Sequence, residues 1–445
     1  MKRSAWRYLW NSEDIRKKLL ITLLLLAIYR FASNIPVPGI DREVVKQLTA
    51  ATGAAGSLIN LLDLLSGGAV SRFSILAMGV YPYITAQIIL QLLQPIIPAL
   101  ERKMQEDPRG GRIWMEKWTV ILTIPMAALS AIGQINIFNS MLGGSSVITN
   151  FGFTGAKLLP TLASLFTMMA GTMLGVWLGQ LISEYGIRNQ GLSLIIFAGI
   201  VSRIPQNLYA MVTDEQTRWL ILIVIAILML TIFAIVYVQQ GRRFVPVMFP
   251  GRRIGNRMSM PVKSNIPLMV NMAGMIPLIF AQSFLTFPAI LASFFMTSKT
   301  EWLANLASST TRIFSGDSTW YPMMFFFLVV LFCYFYTDVL FAQQNYGENL
   351  KKQGAQIPGV TRGGPTQRYL TKVQRRITLP GALFLGFVAV MPYIFGAFLP
   401  MGASQAGIFL VSSSGLLIVV GTVRDTFQII ETELKLHGYE DRLIS

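Results

Sequence analysis

Ten stretches of apolar residues, most of them close to 20 long, leave this chain few folds to choose from. They cover 18–36, 73–97, 118–139, 158–182, 191–211, 219–239, 267–296, 321–342, 378–400 and 406–424. A helix rises about 1.5 Å per residue, so such a stretch matches a hydrocarbon core about 30 Å thick. In lipid every backbone N–H and C=O must find its partner within the protein, which restricts spanning segments to helices and closed barrels, and runs of this length select helices. The predicted fold class is an all-α polytopic membrane protein with ten transmembrane helices. Composition agrees, since 53% of the 445 residues are hydrophobic and only 13% are charged.

The same composition excludes much chemistry. One cysteine, Cys333, and one histidine, His437, rule out an internal disulfide and a Cys/His metal cluster. There is no P-loop, no H-E-x-x-H, no G-x-S-x-G and no nucleotide fingerprint, so no catalytic residue, cofactor or metal is predicted. No cleavable signal is expected: the N-terminus is basic, and Asn34-Ile35-Pro36 follows the first apolar stretch where small residues would be required. Only Arg30 and Asp338 interrupt spans well inside their limits. Ion-coupled transporters need acidic groups near the midplane. Asp338 is the one candidate for that class, and it lies about a turn from the inner end of its span, where interfacial solvation would suffice.

An even number of spans puts both termini on one side, and basic residues choose the side. With the termini inside, 28 of the 37 Lys and Arg fall in inner segments and 8 in outer ones, Arg30 being the remaining one. Both termini are therefore predicted to be cytoplasmic. Spans 1–5 and 6–10 make two halves of similar length, 1–214 and 215–445, joined near Asp214-Glu215.

Within these halves one pattern recurs. Gly79, Pro82, Ile84, Ala86 and Gln87 on span 2 are matched by Gly274, Pro277, Ile279, Ala281 and Gln282 on span 7, every pair 195 positions apart. The two spans are equivalent members of their halves and run in opposite directions, which is the signature of inverted repeats around a central path. Span 2 also carries a single stripe, Val80, Ile84, Gln87, Gln91 and Gln94, at helical spacing. It reads as an apolar collar with amides on its inner side. Asn271, Met275, Ile279 and Gln282 form a similar stripe on span 7. Such amides either wet a vestibule or bridge neighbouring helices.

Two further segments stand out. Residues 58–65 are apolar but too short to cross, about 12 Å as helix, and Ser66-Gly67-Gly68 breaks them; they are expected on the outer surface or re-entering the protein. On the inner side, residues 240–266 carry Arg242, Arg243, Arg252, Arg253, Arg257 and Lys263 with no acid, and 343–377 carry seven cations, among them Lys351, Lys352 and Arg362, against one Glu348. Two long basic loops on one face suit an acidic partner, ribosomal RNA or anionic lipids.

Several of these runs resemble one family. Ser66-Gly67-Gly68-Ala69-Val70-Ser71-Arg72 with Met78-Gly79-Val80-Tyr81-Pro82-Tyr83-Ile84 resembles the plug and second span of the bacterial SecY family. Val270-Asn271-Met272-Ala273-Gly274-Met275-Ile276-Pro277 looks like its seventh span, Phe197-Ala198-Gly199-Ile200-Val201 its fifth, and Asn349-Leu350-Lys351-Lys352 its large inner loop. The similarity covers essentially the whole chain in order.

The resemblance implies two inverted five-helix halves hinged as a clamshell, in the bacterial plasma membrane. The implied function is a protein-conducting channel that moves unfolded secretory polypeptides across and releases apolar segments sideways into lipid. It also implies a pore ring at Val80, Ile84, Leu192, Ile196, Ile279 and Ile418. A plug falls at about 58–72, with Leu61, Leu62, Leu65, Ser66, Gly67, Gly68 and Arg72. A lateral gate between spans 2 and 7 would carry Pro82, Gln87, Gln91, Asn271, Gly274, Pro277 and Gln282, with Gly and Pro letting the helices bend. The implied partners are SecE, SecG, the SecA motor ATPase and translating ribosomes, the last two docking on Arg242, Arg243, Arg252, Arg253, Lys351, Lys352 and Arg362. One departure concerns that docking. The family's fifth inner loop reads I-P-G-x-R-P-G, whereas here it reads Ile357-Pro358-Gly359-Val360-Thr361-Arg362-Gly363. Thr361 takes the usual Arg position and Arg362 follows it.

Overall fold

Helices form wherever the apolar windows lie, and their ends are set by backbone chemistry that hydropathy does not see. The computed structural model describes residues 12–40, 69–70, 72–94, 97–98, 100, 107–141, 148, 152, 155–202, 205, 220–250, 253–254, 257–258, 262–295, 300–314, 318–398 and 403–436. In these residues the helices are α1 (Glu13–Ala32), α2 (Tyr81–Leu93), α3 (Pro108–Met141), α4 (Leu158–Tyr185), α5 (Gly191–Val201), α6 (Leu220–Gln240), α7 (Ile276–Ser293), α8 (Glu301–Phe314), α9 (Trp320–Gln344), α10 (Tyr346–Lys352), α11 (Gly364–Phe398) and α12 (Ala403–Leu436). Ten of them coincide with the ten predicted spans; α8 and α10 are additional. Helices within Gly110–Asn139, Leu158–Tyr185, Ile276–Ser293, Trp320–Lys352 and Gly364–Met391 are each long and apolar enough to cross a membrane.

The bundle is apolar both inside and out. Its central cluster draws Tyr29 from α1, Ile88 from α2, Ile182 from α4, Leu278 from α7, Phe325 from α9, Leu385 from α11 and Leu417 from α12. Meanwhile Leu23, Phe166, Phe233 and Phe327 are each more than 60% exposed. In water such surface would be a liability, and against acyl chains it costs nothing. The first and last helices meet at one face: Lys18 Nζ lies 2.6 Å from Glu433 Oε1, and Ile15 packs with Ile430 and Leu434. Their inner ends therefore lie on one side, as an even number of crossings predicts.

Two helices, α2 and α7, begin well after their hydropathy windows do. Span 2 is predicted from residue 73 and span 7 from 267, yet α2 begins only at Tyr81 and α7 at Ile276. In both, a glycine at positive φ (Gly79 at +52°, Gly274 at +65°) turns the chain two residues before the helix, and a proline takes the second helical position. Glycine adopts that backbone without a Cβ clash, and proline in the first turn gives up an N–H that has no intrahelical acceptor anyway. The repeated Gly and Pro therefore start the two helices instead of bending them in mid-course.

Two inner loops are more ordered than charge counting suggests. Residues 240–266 fold back as an antiparallel ribbon of β1 (Arg242–Phe249) and β4 (Val262–Met269), with short strands β2 (Arg253–Ile254) and β3 (Arg257–Met258) towards its tip. Met248 and Gln356 exchange backbone hydrogen bonds of 2.8 and 2.9 Å, tying the ribbon to the second basic loop. Val245, Val247 and Leu268 then bury against Phe341, Leu350, Ile357 and Leu370 in a separate small core.

Close approach at α4 holds the turn before α2. A Cβ added at Gly171 would overlap the backbone carbonyl of Ile75, which cannot swing away as a side chain would. Gly171→Ala is expected to cost about 1–3 kcal/mol. It should lower the unfolding temperature of the purified complex, while Ala at the open position Gly364 leaves it unchanged.

Candidate functional site

The six residues of the expected ring come from four helices and meet in one cluster. Val80 and Ile84 sit at the start of α2, Leu192 and Ile196 on α5, Ile279 on α7 and Ile418 on α12. Five of them are buried, and Leu192 packs against the cluster while partly exposed. By repeat symmetry α2 corresponds to α7 and α5 to α12, so the cluster is built by two related pairs, one member of each pair from each half.

Beside it runs the seam between α2 and α7. The Tyr81 hydroxyl donates to the Ser283 carbonyl at 3.1 Å, and both residues are buried. Farther along, the Ser293 hydroxyl donates to the Gly133 carbonyl of α3 at 3.2 Å. Tyr81, Ile290, Leu129 and Phe294 pack together as an apolar patch across the same seam. Several buried polar atoms near it have no protein partner: both amide atoms of Gln134, Gln282 Oε1 and Ser283 Oγ. An unpaired buried polar atom costs about 1–3 kcal/mol, so closing this seam is not uniformly favourable. Of the predicted gate residues, Pro82, Pro277, Asn271 and Gln282 are buried, while Gln87, Gln91 and Gly274 are half-buried. The Asn271 side chain donates to the Gly274 carbonyl at 3.0 Å, fixing the turn into α7.

The amides below Ile84 line a cleft of about 290 Å³ with Tyr83, Arg112, Glu116 and Gln343. Gln91 Oε1 and Gln94 Oε1 make no hydrogen bond to a neighbouring helix. The stripe thus borders a cleft, while two of its amide oxygens are enclosed without a protein partner. Arg112 and Glu116 come from the next helix, and Gln343 lies far from span 2 in sequence, brought here only by the fold.

The plug positions Leu61, Leu62, Leu65, Ser66, Gly67 and Gly68 lie outside the described residues. At the end of that segment Val70 and Phe73 are buried with Val37, Phe138 and Ile148. Arg72 is exposed and its guanidinium donates to Asn34 Oδ1. Among the docking residues, Arg242, Arg243, Lys351, Lys352 and Arg362 are exposed on the platform made by the ribbon and second loop. Lys352 faces Glu348 at 3.7 Å. Arg253 lies on β2, and Arg252 lies outside the described residues. The Thr361 carbonyl accepts from the Thr366 hydroxyl at 2.8 Å, which holds the turn presenting Arg362. Asp338 forms a two-pronged pair with Arg375, at 2.9 to 3.2 Å, and is about one-third exposed. It is thus an ion-paired residue at the bundle's edge, and nothing places it in a central proton path.

A membrane bundle of inverted halves, with a buried apolar cluster at its centre and a two-helix seam beside it, fits the class of polytopic conducting channels. Comparison with known proteins makes the class specific. A family model described as SecY matches residues 74–427. The protein translocase subunit SecY of Streptomyces galbus is 35% identical over 98% of this chain and 99% of its own length. That of Aquifex aeolicus is 35% identical over 97% of each. A solved protein-conducting channel superposes with a TM-score of 0.63 at 16% identity, over 96% of this chain and 95% of that one. Sec61 from a canine ribosome–channel complex superposes at 0.58 over the same shares, also at 16% identity. The chain belongs to the SecY family. It is a protein-conducting translocation channel with ten transmembrane helices in two inverted halves.

The seam gives a direct test. Tyr81→Phe removes one hydrogen bond, worth about 0.5–1.5 kcal/mol, and keeps the ring in place. Channels carrying it in planar bilayers should open about 2- to 10-fold more often, whereas Tyr185→Phe, exposed at the end of α4, should match the parent.

Proposed function

We propose that Val80, Ile84, Leu192, Ile196, Ile279 and Ile418 are the constriction through which an unfolded polypeptide passes. In this reading α2 and α7 part to let apolar segments leave for lipid. The observation that carries it is that residues of both symmetry-related pairs, α2/α7 and α5/α12, share one apolar cluster beside the Tyr81–Ser283 seam. Branched apolar side chains offer an ion nothing in exchange for its water, so the ring resists leakage while yielding around any side chain. The halves 1–214 and 215–445 act as the two jaws, and the segment at 58–72 is the plug. Opening the seam wets Gln134, Gln282 and Ser283, and their hydration offsets part of the free energy needed to separate the two helices. Lateral exit is partitioning, since each Leu, Ile, Phe or Val at a helix centre favours insertion by about 0.3–0.6 kcal/mol.

Nothing in the chain binds or splits a nucleotide, so it is not itself an enzyme and its energy comes from a partner. The basic platform of Arg242, Arg243, Arg253, Lys351, Lys352 and Arg362, with Arg252, is the docking face for the SecA ATPase and the ribosome. SecE and SecG complete the complex. The location is the bacterial plasma membrane with both termini cytoplasmic, which the 28-to-8 distribution of Lys and Arg supports.

Two experiments test this reading. Single cysteines at Ile84 and Ile279, in a chain with the buried Cys333 replaced, should crosslink a stalled secretory polypeptide. A cysteine at the outward-facing Leu331 should not, and the reverse pattern would refute the path. Separately, Arg362→Glu should lower SecA-driven translocation at least several-fold without changing the closed channel's conductance.

A further inference from the structure

One groove on the inner side belongs to neither the path nor the docking platform. It is a hollow of about 630 Å³ between α9 and α11, at the basic end of both helices. Arg368, Lys372, Arg375 and Arg376 line it from α11, with Tyr334 of α9 and Leu379 forming its floor. No Asp or Glu is among the lining residues. The neighbouring Asp338 is bound by Arg375, which leaves Arg368, Lys372 and Arg376 to face the hollow.

What lies beneath these cations settles the kind of ligand. Positions 368, 372, 375, 379, 383 and 387 fall on one helical stripe, which changes character at a single level. Its inner part is cationic, and Leu379, Leu383 and Phe387 below it are exposed at 53, 45 and 54%. On the facing helix Tyr334 is followed in the same direction by Leu331 and Phe327, exposed at 59 and 63%. From Leu379 to Phe387 the stripe descends about 12 Å along the helix. A soluble anion would use the cations alone and have no need of the two apolar walls. An RNA phosphate could reach the cations but not the walls, which lie inside the membrane.

We propose that this groove is a binding site for an anionic phospholipid. Its phosphate sits against Arg368, Lys372 and Arg376, and its acyl chains lie along Leu379, Leu383 and Leu331. Arg375 is held by Asp338 and acts as the wall that keeps the headgroup at this level. Long cationic side chains at a membrane surface reach headgroups readily, and each adds attraction to acidic lipid. The site needs only that α9 and α11 span a membrane, so it stands or falls apart from the route taken by the polypeptide.

The test uses the whole translocase complex in lipid nanodiscs, with phosphatidylglycerol or phosphatidylcholine bearing a photoactivatable group on one acyl chain. Labelling located by peptide mapping should fall on 379–387 and 327–334, and should be at least about 5-fold stronger for phosphatidylglycerol. R368Q/K372Q/R376Q should bring the two lipids to equal labelling. R16Q/K17Q/K117Q removes the same charge from the other half and should leave the preference intact. Equal loss in both triple variants would mean a diffuse surface potential and overturn the site. So would equal labelling by both lipids in the parent, or absence of labelling because another subunit fills the groove. Competition by millimolar glycerol phosphate would make the ligand a soluble anion and overturn the lipid assignment.

Discussion

Backbone amides left unpaired in hydrocarbon are costly, and that constraint shapes both the ordinary and the unusual parts of this channel. Where the chain can stay helical it does. Where it must turn at membrane depth, before α2 and before α7, the irregular backbone is enclosed by protein. Val37 donates to the Phe73 carbonyl at 3.1 Å and Ile75 to the Ile35 carbonyl at 2.9 Å, so the stretch leading into α2 leans on the end of α1. Before α7 the task falls to Asn271, whose amide reaches the Gly274 carbonyl. The two turns have the same glycine geometry and different supports. That is what is expected of repeats whose shared backbone has been kept while their surroundings diverged.

Shortening α2 has a consequence for packing. Its first six residues, Tyr81 to Ala86, are all buried, so its start lies within the bundle instead of at its surface. Val80 and Ile84 are thereby set at the level where α5, α7 and α12 converge. The seam that α2 shares with α7 is held by one side-chain hydrogen bond and an apolar patch, with unpaired amide and hydroxyl atoms nearby. A gate sealed by a continuous apolar interface would open only against a large barrier. One that buries unpaired polar atoms when shut regains their hydration when it opens, and this narrows the gap between the two states.

Much of this was legible in the sequence, though unevenly. The ten spans could be read because lipid imposes one length and one polarity on every crossing. The repeated Gly-Pro-Ile-Ala-Gln pattern correctly marked α2 and α7 as equivalent, but not where they begin. Hydropathy treats Leu76, Ala77 and Met78 as span residues, and only the positive φ at Gly79 shows that they are not helical. The ribbon of β1 and β4 escaped notice because its signal, alternating burial at Val245 and Val247, spans few residues in a loop dominated by arginines. Amphipathic α8 gives no span signal, because its 14 residues are too few to cross a membrane. The cleft lined by Gln91, Arg112 and Gln343 brings α9 against α2 and α3 from far along the chain, and no local pattern could have announced it.

The distribution of charge separates two demands that a residue count merges. Orientation in the membrane needs a bias of Lys and Arg in short inner loops, and a few residues would meet it. Here the inner loops carry six and seven cations, and the fold arranges them in two distinct ways. On the platform, Arg242, Lys351 and Arg362 project from a strand, a short helix and a turn that share a private apolar core, as a surface docking a rigid partner requires. On α11, Arg368, Lys372 and Arg376 follow one stripe of a helix that continues into lipid, above residues as apolar as any on the outer surface. Asp338 marks the boundary by fixing Arg375 between the two helices. A helix whose only duty was to orient the chain could scatter these cations around its axis. Their alignment above an open apolar groove is the property that orientation alone leaves unexplained.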